Sequence, residues 1–168
     1  MFKESDIKEI EDYKNVFDLF KESALALASS EKGKNVLTIG WGALGTLFSK
    51  PCCTIYINKQ RYSKIIFDDA LYFSVCFFNE DHQEEINNYY GKLSGKNVDK
   101  INDGVYTYNE IDDIPIFQEA ELIILCKIMA KSDFDVDKIY DPRIEKWYRT
   151  SGVHTIYHGE IIKVLKKS

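Results

Sequence analysis

Runs of apolar residues divide the chain into short segments, most of which have the composition of β-strands. Aromatic and β-branched side chains dominate these runs, and they suit the pleated surface of a sheet. The predicted strands span 36–39, 52–57, 71–78, 122–129, 153–157 and 159–165. Residues 6–21 predict a short helix followed by a turn, and 24–28 fit a strand or a helix. Helices are predicted at 63–70 and 81–90, and the stretch 132–150 is acidic and irregular. The pattern therefore predicts a mainly β fold, an antiparallel β-barrel with short helices.

Length and charge narrow the class of protein. The 168 residues suit one domain spanning 1–168, with a helical segment at 1–21 and the barrel at 22–165. The net charge is −5 and no basic tract is longer than Lys166-Lys167, so we expect no nucleic-acid partner. No apolar run approaches the ~20 residues that span a bilayer, so we expect no membrane association. The N-terminus lacks an apolar signal core, which predicts a cytoplasmic protein.

Metal-ligating and nucleophilic residues form no recognisable site in the sequence. The four cysteines lack CxxC spacing, and the side chains of Cys52 and Cys53 point to opposite faces if they lie in a strand. His154 and His158 are four residues apart in a segment that looks extended, which does not favour zinc. We therefore expect no metal, no disulfides, and no catalytic side chain.

A glycine-rich segment follows directly after the predicted strand 36–39. Gly40-Trp41-Gly42-Ala43-Leu44-Gly45 spells the GxGxxG pattern of dinucleotide-binding proteins. That pattern requires a helix to open at the third glycine, and a strand–helix–strand crossover needs at least ~10–12 residues. Pro51 follows Gly45 after only five residues, and a β-rich run comes next. The segment is therefore interpreted as a bend at the end of a strand, which exposes its backbone and Trp41.

Two later segments carry chemistry that suits a phosphate. Asn58-Lys59-Gln60-Arg61-Tyr62-Ser63 supplies two cations and a hydroxyl before a predicted helix, although a solvated turn has the same composition. The loop 91–100 contains Gly91, Gly95 and three lysines. It does not fit a Walker A loop, since Tyr90 and Asn97 occupy the places of the required glycine and hydroxyl residue.

Taken together, these segments resemble the flavin reductase-like family of FMN-binding split barrels. The resemblance covers about residues 15–165 and rests on the order of motifs that are each weak alone. They are 35–45, Lys50-Pro51, Arg61-Tyr62-Ser63, 73–78, 94–100, Glu119 to Leu122 with Cys126, 145–148, and 154–161. The resemblance implies an antiparallel split β-barrel and a homodimer with FMN near the subunit interface.

The resemblance also implies which residues hold the cofactor. Thr38, Ile39, Gly40, Trp41 and Gly42 would lie along the flavin. The phosphate side would be held by Asn58, Lys59, Arg61, Tyr62, Ser63, Ser94, Gly95, Lys96 and Lys100. The last strand, around His154 and Tyr157, would lie near the site or the dimer contact. Lys96-Asn97 stands where relatives commonly have Arg-Asp, which removes the bidentate fork of arginine.

Two functions follow from the resemblance. One is a flavin reductase-type oxidoreductase that passes electrons from NAD(P)H, or from a small redox carrier protein, through bound FMN. The other is an FMN-binding or electron-relay module without turnover of its own, because one fold hosts several functions. A haem- or pyridoxal phosphate-binding relative on a similar barrel is a third possibility.

Overall fold

The computed structural model of the chain describes residues 1–22 and 24–168. The described strands are β1 (Phe2–Ser5), β2 (Ala24–Ser30), β3 (Gly33–Ile39), β4 (Gly42–Leu47), β5 (Lys50–Asn58), β6 (Tyr72–Phe77), β7 (Tyr108–Ile111), β8 (Ile114–Phe117), β9 (Leu122–Asp133) and β10 (His154–Lys167). The described α-helices are α1 (Glu9–Tyr13), α2 (Val16–Leu19), α3 (Lys64–Phe67), α4 (Gln83–Glu85) and α5 (Pro142–Ser151). Two 3₁₀ turns, Glu80–His82 and Val136–Lys138, and a π-helical turn, Ile86–Tyr90, also occur.

The main sheet is antiparallel and does not close on itself. Its strands follow the order β3-β2-β6-β9-β10-β5-β4, and β1 pairs with the second half of β10. The end strands β3 and β4 are consecutive in the chain, so the two residues between them, Gly40 and Trp41, bridge the split between the two ends of the sheet. This arrangement confirms the antiparallel split β-barrel with short helices.

Both faces of the central strands are buried. On β2, Ala24, Ala26 and Ala28 pack into the barrel core. Leu25 and Leu27 pack on the opposite face, beneath the β7–β8 hairpin and the segment that ends at Tyr90. Burial on both faces removes the alternation of polar and apolar residues. For this reason the sequence pattern of 24–28 fits either a strand or a helix.

Several elements differ from the sequence predictions. The sequence predicts an irregular stretch at 132–150, but these residues contain the end of β9 and most of α5. The Asp141 side chain caps the first turn of α5 by accepting a hydrogen bond from the Arg143 amide at 2.9 Å. The N-terminal segment contains β1 as well as two helices, because Phe2–Ser5 pairs with β10. The two strands predicted at 153–157 and 159–165 are one strand with a register shift at His158/Gly159.

The glycine-rich segment is also more regular than predicted. Only Gly40 and Trp41 form the bend, and Gly42–Leu47 continues as β4. A tight turn then joins β4 to β5, with left-handed φ values of 51° at Phe48 and 60° at Ser49. Two successive positive φ angles give the twist that favours two-residue hairpins. Among the helices in the described ranges, none is both long enough and apolar enough to cross a membrane.

Candidate functional site

A cleft of about 140 Å³ opens where the sheet is split, and we call it the aromatic cleft. It is lined by Leu37, Thr38, Ile39, Gly40, Trp41, Tyr56, Asn58, Arg61 and His154. These residues come from the end of β3, the bend, the end of β5 and the start of β10. Residues from the sequence motif at 38–41 and from the segment at 58–61 therefore line the same cleft.

The end of β3 is held rigidly on one wall of the aromatic cleft. The Thr38 hydroxyl donates to the Ile86 carbonyl at 2.8 Å, which ties the strand to the π-helical turn. The Ile39 side chain is buried in the barrel core. A Cβ added at Gly40 would meet no atom within 4 Å. The exposed backbone at Gly40 therefore leaves open space for a flat ligand.

Aromatic rings form the second wall of the aromatic cleft. The Trp41 and His154 rings lie 4.7 Å apart at 37°, and behind them Trp147 of α5 stacks on His154 and contacts Trp41 edge-on. Burial, and secondarily the positive charge of Arg61, lower the pKa of His154 below its usual range. No described group hydrogen-bonds the buried His154 Nδ1. The cleft thus presents flat surfaces and a neutral imidazole.

Asn58 organises the floor of the aromatic cleft. Its side-chain amide donates to the carbonyls of Ser151 and Gly152, both at 3.0 Å, and its Oδ1 accepts from the Gln60 amide at 2.9 Å. These bonds fasten the turn after β5 to the end of α5. Asn58 therefore positions Arg61 and the aromatic wall relative to each other.

A second cleft, of about 160 Å³, adjoins the first, and we call it the cationic cleft. It is lined by Leu37, Gln60, Arg61, Tyr62, Ser63, Lys92, Leu93, Ser94, Gly95 and Lys100. Leu37 and Arg61 line both clefts, so the two clefts are adjacent, and we call them together the groove. The segments at 61–63 and 94–100 thus meet across this groove.

Lys100 is the most unusual residue in the cationic cleft. Only 4% of its surface is exposed, and its ammonium group donates to the Tyr90 carbonyl at 3.0 Å. Burial, followed by the positive charge of Arg61, lowers the pKa of Lys100 to about 8. In the described residues, no carboxylate forms an ion pair with either Lys100 or Arg61. Buried charges are normally paired, so this cleft is suited to an anion.

Arg61 and Ser63 line the same cleft as Lys100. One Arg61 guanidinium nitrogen donates to the Gly91 carbonyl at 3.2 Å, which leaves its other donors free to reach a ligand. Ser63 is buried at the start of α3, and no described group hydrogen-bonds its side chain. A hydroxyl, a guanidinium and an ammonium group therefore converge on one small cleft.

Three of the predicted cofactor residues lie outside both clefts. Lys59 forms an ion pair with Asp133 at 2.6 Å, Lys96 lines a neighbouring pocket, and Gly42 packs against Phe20. Tyr157, expected near the site or the dimer contact, is buried in the barrel core and donates to Asp68 at 2.7 Å.

Residues that the sequence did not single out complete the clefts. They are Leu37, Tyr56, Gln60, Lys92 and Leu93. Most lie next to a predicted residue or on a predicted strand, but no local motif marks them. The described cysteines are free, and among the described residues no cluster of His, Cys, Asp and Glu could hold a metal ion.

Comparisons with known proteins identify the family and support the fold. Residues 22–168 match the family model described as the flavin reductase like domain. Among solved structures, flavoredoxin from Methanosarcina acetivorans is similar with a TM-score of 0.69 at 20% identity, over 88% of this chain and 69% of that one. The FMN-binding protein from Thermus thermophilus with bound p-hydroxybenzaldehyde gives a TM-score of 0.68 at 18% identity, over 87% and 71%. No curated protein matches the chain.

A further structural neighbour extends over most of both chains. The putative flavin reductase from Haemophilus somnus gives a TM-score of 0.66 at 14% identity, covering 98% of this chain and 90% of that one. The similarity to these solved structures supports the antiparallel split-barrel fold. The chain belongs to the flavin reductase-like family.

Proposed function

We propose that the chain binds FMN, with the isoalloxazine ring in the aromatic cleft and the phosphate in the cationic cleft. The observation that carries this proposal is that two positively charged side chains, buried Lys100 and Arg61, line one cleft. Neither has a carboxylate partner among the described residues. A phosphate would supply the missing negative charge. It would also form charge-assisted hydrogen bonds, which are stronger than neutral ones.

The shape of the groove supports the same assignment. The aromatic cleft offers open backbone at Gly40 and the face of Trp41, which suits a planar ring. Leu37 and Arg61 connect it to the cationic cleft, where a chain attached to the ring would end in its phosphate. Ser63 and Lys100 would then donate to the phosphate oxygens, and Asn58 would hold the turn that carries Arg61.

The redox chemistry would be supplied by bound FMN, and the protein would orient and shield it. We propose that electrons come from NAD(P)H or from a small redox carrier protein and pass to an acceptor. His154 stays neutral at physiological pH because burial and Arg61 lower its pKa. It would therefore face the ring as a hydrogen-bonding group without adding a positive charge.

Exposed aromatic rings around the groove support a homodimer. Phe17, Trp41 and Trp147 are 85%, 49% and 42% exposed, although such large rings are usually buried. We propose that a second copy of the chain covers this surface and completes the aromatic cleft. Light scattering after gel filtration should give twice the mass of one chain, and Trp147→Ala should shift the population towards monomer. A monomeric wild-type protein loaded with FMN would contradict the dimer.

A reducing compartment such as the cytoplasm fits the free cysteines at 52, 53, 76 and 126. Cytoplasmic location is therefore part of the proposal, and fractionation of cells that express the tagged chain would test it.

The absorption spectrum of the purified protein tests the cofactor. We expect a yellow protein, or one that takes up added FMN with a shift of the flavin bands. A protein that remains colourless after incubation with FMN would contradict the proposal, and a haem or pyridoxal phosphate spectrum would replace it.

Anaerobic addition of NADH, and separately of NADPH, then distinguishes an enzyme from a relay. Bleaching of the flavin band by either nucleotide is expected for a flavin reductase. A yellow protein that neither nucleotide bleaches, but that a low-potential carrier protein reduces, would be an electron-relay module.

A further inference from the structure

Ser63 lies in the cationic cleft at the start of α3, so whatever holds this helix also decides where the Ser63 hydroxyl lies. The helix spans only Lys64–Phe67, a single turn, which backbone hydrogen bonds alone do not keep stable. The carbonyl of Ser63 accepts from the amides of Ile66 and Phe67, at 3.0 and 3.1 Å. Ser63 and the end of α3 are therefore joined through one turn, and a shift of one moves the other.

A hydrogen bond between α3 and β10 fixes the far end of the helix. Asp68 directly follows α3, and its amide donates to the Lys64 carbonyl at 2.9 Å. The Tyr157 hydroxyl donates to Asp68 Oδ1 at 2.7 Å. Tyr157 is fully buried on β10, and burial, followed by the hydrogen bond to Asp68, raises the pKa of its hydroxyl. The phenol therefore keeps its proton and stays a donor to the carboxylate.

Two lysines keep the Asp68 carboxylate charged. Lys64 and Lys131 both form ion pairs with it, the latter at 3.5 Å, and the Lys131 ammonium group also donates to the Asp68 carbonyl at 2.9 Å. Burial alone would raise the pKa of Asp68, but the hydrogen bonds from Lys64 and Tyr157 lower it below its usual range. Asp68 is therefore a charged acceptor that ties α3 to both β9 and β10.

Aromatic packing holds α3 from its buried face. Phe67, the last residue of α3, lies in the barrel core, where its ring contacts the Tyr157 ring edge-on at 5.9 Å. Tyr157 thus contacts the α3 segment twice, through its ring and through its hydroxyl. Substitution of Tyr157 by phenylalanine would keep the ring contact and remove only the hydrogen bond, without removing a charge from the protein.

We propose that Tyr157 and Asp68 are positioning residues, which hold the Ser63 hydroxyl in the cationic cleft and so give the chain a preference for a flavin that carries a phosphate. This inference rests on the proposed placement of the FMN phosphate in that cleft. Neither residue lines the aromatic cleft or the cationic cleft, so both act through α3. Riboflavin has the same ring system and no phosphate, so its binding should not depend on this pair.

Fluorescence titration with FMN and with riboflavin tests the proposal. Tyr157→Phe should raise the dissociation constant of FMN about fivefold, part of the contribution of one hydrogen bond to a charged group, and leave that of riboflavin within about twofold. Asp68→Ala and Asp68→Asn remove the same charge, but only asparagine retains a side-chain oxygen that accepts from Tyr157. The alanine variant should therefore lose the preference for FMN, and the asparagine variant should keep it.

Tyr13→Phe is the matched control. The Tyr13 hydroxyl donates to the Phe78 carbonyl at 3.1 Å, and Tyr13 lines neither cleft. Its substitution also removes one phenol hydrogen bond from the folded chain, so it reports the general cost of such a loss. The dissociation constants of FMN and riboflavin should both stay unchanged in this variant.

A double-mutant cycle with Ser63→Ala tests the route by which the pair acts. If Tyr157 acts through the Ser63 hydroxyl, Tyr157→Phe should not weaken FMN binding further in a chain that already carries Ser63→Ala, because the two losses are then coupled. Losses that simply add would show that Tyr157 does not act through Ser63, and would overturn the proposal.

The remaining outcomes separate this inference from the proposed function. Equal changes in the FMN and riboflavin constants of Tyr157→Phe, or an FMN constant that does not change, would overturn the positioning role. The same loss of FMN affinity in Tyr13→Phe would also overturn it, because the loss of any such hydrogen bond would then suffice. If neither flavin binds the wild type, the proposed function itself fails.

Discussion

The ammonium group of Lys100 donates to the carbonyl oxygen of Tyr90 at 3.0 Å, in a position where only 4% of the lysine is exposed. A carbonyl partner fixes the direction of the side chain but does not neutralise its charge. Because Arg61 adds a second positive charge nearby, the geometry favours an anion, and it makes the protonation of Lys100 responsive to ligand binding.

Affinity for FMN should therefore fall at alkaline pH. The pKa of Lys100 is about 8 in the free protein, and a bound phosphate would raise it, so binding takes up a proton above that pH. We expect the dissociation constant to rise with pH from about 8, with a slope approaching about tenfold per pH unit. Calorimetry between pH 7 and pH 9.5 measures this slope. In Lys100→Gln the affinity should be lower and the slope absent, and an unchanged slope would assign the titration to another group.

Arg61 and Lys59 provide a matched pair of substitutions. Arg61→Ala should weaken FMN binding by about 1.5–3 kcal/mol, the value of a hydrogen bond to a charged group, and Ser63→Ala should add to the loss. Lys59→Ala removes the same charge two residues away, but Lys59 pairs with Asp133 outside both clefts, so FMN affinity should not change. Fluorescence titration of FMN checks both variants. Equal losses from Arg61→Ala and Lys59→Ala would indicate a general effect of charge and contradict the phosphate site.

Gly40 and Gly42 should respond differently to alanine. At Gly42 the added Cβ would overlap the Phe20 ring, so Gly42→Ala should destabilise the fold by about 1–3 kcal/mol, as overpacking does. At Gly40 the Cβ would meet no protein atom, so stability should be kept and only FMN affinity should fall. Denaturant unfolding and FMN titration separate the two effects. A Gly40→Ala variant with normal FMN affinity would place the ring elsewhere.

We expect the free energy of unfolding to decrease in mild acid because of His154. Its pKa is lowered in the folded state from an ordinary value of 6.5, so the unfolded chain binds the proton more readily. The stability linked to this residue is complete above pH 6.5 and decreases as the pH falls through the folded pKa. We expect the melting temperature of His154→Gln to depend less on pH between 5 and 7 than that of the wild type. Parallel curves for the two proteins would show that His154 does not control this dependence.

The sequence predicts the fold more accurately than it predicts which residues contact each other. Strongly apolar runs such as 71–78 and 122–129 contain β6 and the beginning of β9, because burial on both faces requires such runs. The helix α5 was missed, although Asp141-Pro142 is a favourable helix start and Ile144, Trp147 and Tyr148 recur at helical spacing, because these three apolar residues lie in a mostly polar stretch.

The sequence by itself determined the segments that form the groove: the bend at Gly40, the Arg61-Tyr62-Ser63 turn and the loop that contains Lys100. Only the tertiary structure decided which of their side chains face it. Lys59 and Lys100 are the same residue type, yet one pairs with Asp133 and the other is buried beside Arg61. Burial and charge pairing depend on segments that are distant in the chain, so no local pattern could distinguish the two lysines.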